Sequence, residues 1–313
     1  MIDIFNKSYN DTYKLKNTFL HSIKIDAILR IFILYAANLF IPISYNFNNN
    51  FKPKKQIDIV VSLTSFPNRI SKVHLVIESI LRQTYRPRRI ILWLSEDQFS
   101  SLENLPKSLL KLQVKGLEIY LKPGDIRSYK KYFYFLEENP NEAFIIIDDD
   151  TFYPSHMIEN LINTHVKFPN AVCANRCLEI NDNKPYYKWK HIKEKTLTPR
   201  YDLLPTGCGG VLYPVNSLNI DAVNKELFTK LSYDADDIWL NCMAYLNNTP
   251  FAYTGKNEYL LTVKKMNNKH LYEKNIGQSN NDYRIELIKE YYMKELGINV
   301  FDREISTFNC KTY

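Results

Sequence analysis

The chain is short of glycine, with 8 among its 313 residues, well under half the roughly 7% usual in globular proteins. None of the eight falls into GxGxxG or GxxxxGK[ST], which excludes the dinucleotide-binding loop and the Walker phosphate loop. Cysteine is scarce too. Cys173, Cys177, Cys208, Cys242 and Cys310 are odd in number, form no CxxC pair and stand in apolar or loop contexts. A disulfide scaffold and a paired-cysteine zinc site are thereby excluded, and a reducing compartment fits best. No charge-free apolar run is long enough to cross roughly 30 Å of hydrocarbon. Ala27 to Ile43 contains Arg30 and Asn38, its charge-free part begins only at Ile31, and Pro42 is expected to close it. No small-residue cleavage site follows, so it is not an ordinary signal peptide. Neither sign of charge dominates: 41 Lys+Arg against 34 Asp+Glu leave +7, a balance compatible with an anionic substrate, a phospholipid surface or nucleic acid. The cations are dispersed rather than clustered, which argues against nucleic acid.

What is present describes a folding chain. Hydrophobic residues make up 45% and charged residues 24%, and the length suits one large domain or two modest ones. Lys14, Lys16, Lys24 and Arg30 precede or enter the apolar run. That pattern suits a helix lying in an anionic interface, with residues 23–45 as a peripheral membrane contact, or equally a helix packed on the protein's own core. The polar, Asn-rich stretch Asn46 to Lys55 reads as a linker. The expected division is therefore an N-terminal helical segment and linker (1–54), a main domain (55–265) and a basic, helical tail (266–313). From Ile57 onward short apolar strands alternate with helical periods: strands at Ile57 to Leu63, Arg89 to Leu94, Leu117 to Leu121 and Phe144 to Ile147, helices at Ile70 to Gln83, Tyr129 to Glu138 and Ser155 to Lys167. This is the βαβ rhythm of an α/β fold with a mostly parallel sheet flanked by helices.

The strongest chemical signal is Phe144-Ile-Ile-Ile-Asp-Asp-Asp-Thr-Phe-Tyr-Pro154. An apolar strand delivers Asp148, Asp149 and Asp150 to its carboxyl end, where open parallel sheets bind ligands. Three adjacent carboxylates repel one another, and a divalent cation would resolve the repulsion. Period-2 geometry turns Asp148 and Asp150 to one side, where they can share one hard cation as metal ligands, and Asp149 to the other. Mg2+ or Mn2+ suits such oxygen ligands and is completed by water and phosphates.

This segment resembles the DxD motif of GT-A glycosyltransferases, and three other stretches resemble the same family in order. Asp58-Ile-Val-Val-Ser-Leu-Thr-Ser-Phe-Pro-Asn-Arg69 is similar to its opening strand and nucleotide-contacting loop. Ser79-Ile-Leu-Arg-Gln-Thr-Tyr-Arg-Pro87 resembles a phrase of the family 2-like members, and Tyr233-Asp-Ala-Asp-Asp-Ile-Trp239 resembles the acidic element holding the base of inverting enzymes. The resemblance implies a GT-A fold over 55–265 and a nucleotide-sugar donor transferred to a glycan or lipid-linked acceptor in surface-polysaccharide synthesis. It implies Asp236 or Asp237 as base, metal at Asp148 and Asp150, and donor contacts from Thr64, Arg69, Glu96, Lys130, Asp148 and Asp149. Thr206-Gly-Cys-Gly-Gly210 suits the loop before the acidic element, and His270 stands where some members place a late metal ligand. The acidic element reads Asp-Asp rather than Glu-Asp and no Gln/Arg-x-x-Arg-Trp phrase follows, which favours single addition over a processive synthase. A retaining enzyme on the same fold, a nucleotidyltransferase and a basic binding module are the alternatives. The expected location is cytoplasmic, or peripheral on the inner face of the cell membrane.

Overall fold

The computed structural model describes residues 1–15, 24–47, 52–256, 258–264 and 280–303. Its centre is a seven-stranded sheet. The strands are β1 (Lys55–Thr64), β2 (Tyr85–Ser95), β3 (Leu117–Lys122), β4 (Phe144–Ile146), β5 (Val172–Ala174), β6 (Val211–Tyr213) and β7 (Phe251–Tyr253). Their spatial order is β7-β5-β6-β4-β1-β2-β3, and β6 alone runs antiparallel to its neighbours. This is the mostly parallel, helix-flanked α/β sheet expected from the sequence, preceded by an N-terminal helical segment.

Alternation along β1 sorts the core into two layers. Ile59, Val61 and Leu63 face Val73, Val76, Ile77 and Ile80 of α3 (Ile70–Leu81), while Val60 faces the aromatic layer of Trp93, Tyr132, Phe135 and Trp239. Ser62, on that aromatic side, accepts the Trp93 Nε1–H at 2.8 Å and donates to the backbone carbonyl of Lys131. One buried hydroxyl thus fixes the start of α4 (Lys130–Glu138) against β1. Helix α5 (Met157–Lys167) follows the triple aspartate, and α6 (Lys225–Ser232) and α7 (Asp236–Leu246) follow the glycine cluster. Residues 280–303, set apart by sequence as a tail, add Ile285, Ile288 and Tyr292 of α8 (Asn280–Leu296) and Val300 and Phe301 to the aromatic layer.

At the N-terminus, α1 (Ile2–Lys14) and α2 (Ile25–Phe47) pack together and onto the sheet domain. Ala37, Ile41 and Tyr45 of α2 are buried with Leu75, Phe152 and Leu261. Pro42 does not end this helix, contrary to expectation. Proline removes one helical hydrogen bond, and burial of Ile41 and Tyr45 on either side of it holds the last turn in place. The helix consequently runs for 23 residues, longer than the apolar run suggested.

Candidate active site

A cleft of about 950 Å3 opens at the carboxyl ends of β1 and β4. Strand β4 stops at Ile146 and Asp149 and Asp150 lie in a turn, which Tyr153 closes by accepting the Asp148 N–H at 2.9 Å. The alternation expected of a continuing strand therefore does not hold. Arg69, from the β1–α3 loop, reaches Asp149 at 2.7 Å and Asp150 at 3.0 Å with its two Nη atoms, and Ser65 Oγ donates to Asp149 at 2.6 Å. Burial opposes the charges of both Arg69 and Asp149; for Arg69 the two carboxylates prevail and raise its pKa, and for Asp149 burial prevails over Arg69 and Ser65 and raises it. The guanidinium stays cationic in either case. Asp148 pairs instead with Lys131 at 2.9 Å. Mutual repulsion among the three carboxylates is thus relieved by two cations of the chain itself, so it does not by itself demand a metal.

Cations are unfavourable at a helix N-terminus, yet α4 begins with two buried lysines. Carboxylates hold both. Lys130 pairs with Asp125, which also accepts from Gln98 Nε2 at 2.6 Å. Lys131 lies 2.8 Å from Asp236 as well as 2.9 Å from Asp148. Burial lowers the pKa of Lys130 against the pull of Asp125. For Lys131 burial acts in the same direction, but Asp148, Asp236 and Asp237 outweigh it and keep the ammonium charged.

Helix α7 opens with Asp236 and Asp237, acidic residues where the helix dipole favours them. Asp237 accepts the Gly207 N–H with both carboxylate oxygens, each at 3.1 Å. A Cβ at Gly207 would lie 3.0 Å from Lys131 Nζ and 3.1 Å from both Asp148 Oδ1 and Asp237 Oδ1. The absence of a side chain there lets these three charged groups, from three different elements, converge without being pushed apart. Burial and the adjacent Asp236 push the pKa of Asp237 up to about 7, with Lys131 pulling down and Asp148 adding to the rise. Asp234, also in the cleft wall, pairs with Arg284 at 3.1 Å.

On the facing wall, Arg176 donates to Thr206 Oγ1 at 3.0 Å and lies 2.9 Å from His191 Nε2. Burial and Arg176 depress the His191 pKa to about 4, so the ring is neutral and accepts this bond. Tyr186 and Trp189 bring aromatic surface to the same cleft, with ring centroids 5.1 Å apart.

The cleft gathers Thr64, Arg69, Lys130, Asp148, Asp149, Asp150, Asp236 and Asp237 from the residues singled out by sequence. Glu96 is not among them. The chain turns directly after β2, leaving Glu96 exposed with its N–H on Lys122 O at 2.9 Å, and Gln98 reaches the cleft instead. His270 lies outside the described residues. Sequence reasoning missed Ser65 and Arg176, and it did not see why Ser79 and Gln83 recur in one phrase. Gln83, fully buried, donates to Pro154 O at 2.7 Å and accepts the Ile158 N–H at 3.0 Å, while Ser79 Oγ accepts the Tyr153 N–H at 3.2 Å. The two clamp the segment that follows the triple aspartate.

For a hard divalent ion, Asp148 and Asp150 offer carboxylate oxygens with side chains 33% and 27% exposed to the cleft. Among the described residues no group of three or more His, Cys, Asp or Glu side chains is arranged to hold a metal. Two carboxylates, completed by water and phosphate oxygens, are nonetheless a set that Mg2+ or Mn2+ takes, and the donors present fit it.

No protein family and no curated protein matches this chain by sequence. Among solved structures it is similar to S. aureus TarS residues 1–349 in complex with UDP-GlcNAc, at 11% identity over 79% of this chain and 74% of that one, with a TM-score of 0.43. It is also similar to the mannosyltransferase PcManGT from Pyrobaculum calidifontis in complex with GDP-Man and Mn2+, at 12% identity over 82% and 73% of the two chains, with a TM-score of 0.45. A third is a CMP:2-keto-3-deoxy-manno-octonic acid synthetase complexed with CTP, at 11% identity over 73% of this chain and 99% of that one, with a TM-score of 0.38.

Proposed function

We propose that the chain is a metal-dependent glycosyltransferase that moves a single sugar from a nucleotide-sugar donor to a glycan or lipid-linked acceptor, with inversion, in surface-polysaccharide synthesis. The observation that carries this reading is the ammonium of Lys131, which lies between Asp148 at 2.9 Å and Asp236 at 2.8 Å. It joins the strand-end carboxylates to the helix-start carboxylates in one cleft. The first set suits a metal and diphosphate, the second a base, and a glycosyl transfer needs both within one substrate's length.

Asp237 is the better base of the two. Asp236 is paired with Lys131, whereas Asp237 is oriented by the Gly207 amide and poised near neutrality, where a general base works best. The acceptor hydroxyl gives its proton to Asp237 as its oxygen bonds to the anomeric carbon. The bond from that carbon to the diphosphate breaks, and the nucleoside diphosphate leaves. Mg2+ or Mn2+, held by Asp148 and Asp150, would supply charge neutralisation for the departing diphosphate. Arg69, Lys130 and Thr64 line the donor side, and Tyr187, exposed in the cleft lining, offers stacking surface to a sugar ring. We assign the protein to the cytoplasmic side, with residues 23–45 as its peripheral membrane contact and 55–265 as its catalytic unit. The test is release of nucleotide from a panel of nucleotide sugars with Mn2+, Mg2+ or EDTA. Turnover of one donor, abolished by EDTA and by Asp237→Asn in the presence of acceptor, supports the reading, and no turnover of any donor with any of these ions overturns it.

A further inference from the structure

Helix α2 is amphipathic in the opposite sense to the surface helix of a soluble protein, whose polar side faces water. Its two charged residues are Asp26 and Arg30, paired at 2.9 Å on the inward side with side chains 1% and 18% exposed. Its mid-helix amide, Asn38, also points inward, donating to Thr262 O at 2.9 Å and accepting the Lys264 N–H at 2.8 Å. The outward side carries Ile28, Phe32, Tyr35, Leu39, Phe40 and Ile43, all exposed, Phe32 by 69%. No charged residue interrupts this face over the 23 residues of the helix, about 34 Å at 1.5 Å per residue. Cations border it: Lys24 precedes its first turn, and Lys264 sets its Nζ 4.2 Å from the Tyr35 ring.

We propose that this face docks the protein on an anionic lipid bilayer with α2 lying in the membrane plane, and that the cleft takes its acceptor from that lipid surface. An apolar face framed by lysines is complementary to acyl chains beneath anionic headgroups. Length and composition would allow α2 to span, but to cross the bilayer it would have to part from a domain whose polar surface and loops cannot follow it into hydrocarbon. Here the inward side is bonded to the domain from Asn38 to Tyr45, whose Oη donates to Leu75 O at 3.3 Å and whose carbonyl accepts Arg82 Nη2 at 3.0 Å. The same contacts join the helix to the site. Thr262, held by Asn38, lines the cleft, and the Val263 N–H donates to Asp150 O at 2.7 Å. Tyr13, another lining residue, sits beneath the Arg30 guanidinium at 4.7 Å. The acceptor half of the inference rests on the glycosyltransferase reading; the docking half does not.

Co-sedimentation of the full chain with phosphatidylcholine vesicles and with vesicles containing phosphatidylglycerol tests the docking. We expect binding to the anionic vesicles, weakened about tenfold or more in the Phe32→Glu/Phe40→Glu variant, and release from cell membranes by alkaline carbonate. Undiminished binding by the variant, retention after carbonate, or absence of vesicle binding with a dimer mass in light scattering would each overturn it, the last assigning the face to a second copy. Donor hydrolysis by the variant in solution should equal that of the wild type, which separates a failure of docking from a failure of the catalytic reading. With sugar-labelled donor and vesicles of total host-cell lipid, we expect label in the butanol phase for the wild type and several-fold less for the variant. Donor turnover that leaves the butanol phase unlabelled would overturn the lipid-borne acceptor while leaving the transferase standing.

Discussion

Asp237 is the residue on which the proposed chemistry turns, and its position has a cost in stability. Its pKa is raised from 3.8 to about 7 by burial and by Asp236. A carboxyl raised on folding binds a proton in the folded state between those two values, so the stability it contributes is present at low pH and is lost as pH rises through about 7. Asp237→Asn should therefore melt a few degrees above the wild type at pH 8 and at nearly the same temperature at pH 4, measured by thermal unfolding. The same variant should lose about 10²- to 10⁴-fold in kcat, the usual worth of a general base, and with it the acidic limb near pH 7 in the pH profile. Lys131 answers in the opposite direction. It is the buried ammonium between Asp148 and Asp236, and Lys131→Met leaves those carboxylates uncompensated, an expected loss of about 3–5 kcal/mol in a urea titration. Restored stability in Lys131→Met/Asp236→Asn would identify the repulsion as the cause.

At the scale of elements, loops do the positioning and two small features control them. Gln83 satisfies a backbone donor and a backbone acceptor in the segment after the triple aspartate, so Gln83→Leu takes the acceptor from the Ile158 N–H, while Pro154 O keeps the Met157 N–H at 3.0 Å. The expected cost is about 1–3 kcal/mol, together with a rise in donor KM larger than any fall in kcat, which steady-state kinetics would separate. Gly207→Ala would put a methyl 3.0–3.1 Å from Lys131, Asp148 and Asp237; we expect a folded protein with kcat reduced at least tenfold, about 1.4 kcal/mol in barrier. These elements also mark what could be read from sequence. Strands β1 and β4 announce themselves as β-branched, apolar runs, and α7 begins at Asp236 as its acidic start suggests. Strands β5, β6 and β7 are three residues each, too short for periodicity to register, and pairing within the sheet is what makes them strands. The triple aspartate is legible as a candidate site, and it does line the cleft, but its geometry is not legible. Its turn, and the cations that neutralise it, come from Tyr153, Arg69 and Lys131, whose proximity is set by the fold and not by neighbouring residues. Ser79 and Gln83 were visible as a phrase, but their task is a tertiary one.

At the scale of the whole molecule, seven strands, two core layers and an apolar helix serve to bring one cleft together. Carboxylates from the end of β4 and the start of α7 meet across Lys131, and the wall beside Asp150 is bonded to a helix whose outward side is apolar. Composition could not distinguish a core helix from an interfacial one, because one face of α2 is buried on the domain and the other is apolar and exposed. The central claim remains metal-assisted transfer from a nucleotide sugar, and the most direct measurement is metal-dependent release of nucleotide from a donor panel, run beside Asp150→Ala. The account predicts turnover of one donor with Mn2+ or Mg2+, abolished by EDTA and reduced at least a hundredfold in the variant, about 2.7 kcal/mol in barrier. Turnover that is indifferent to EDTA and to Asp150→Ala would contradict the metal at Asp148 and Asp150, and no turnover with any donor would contradict the transferase itself.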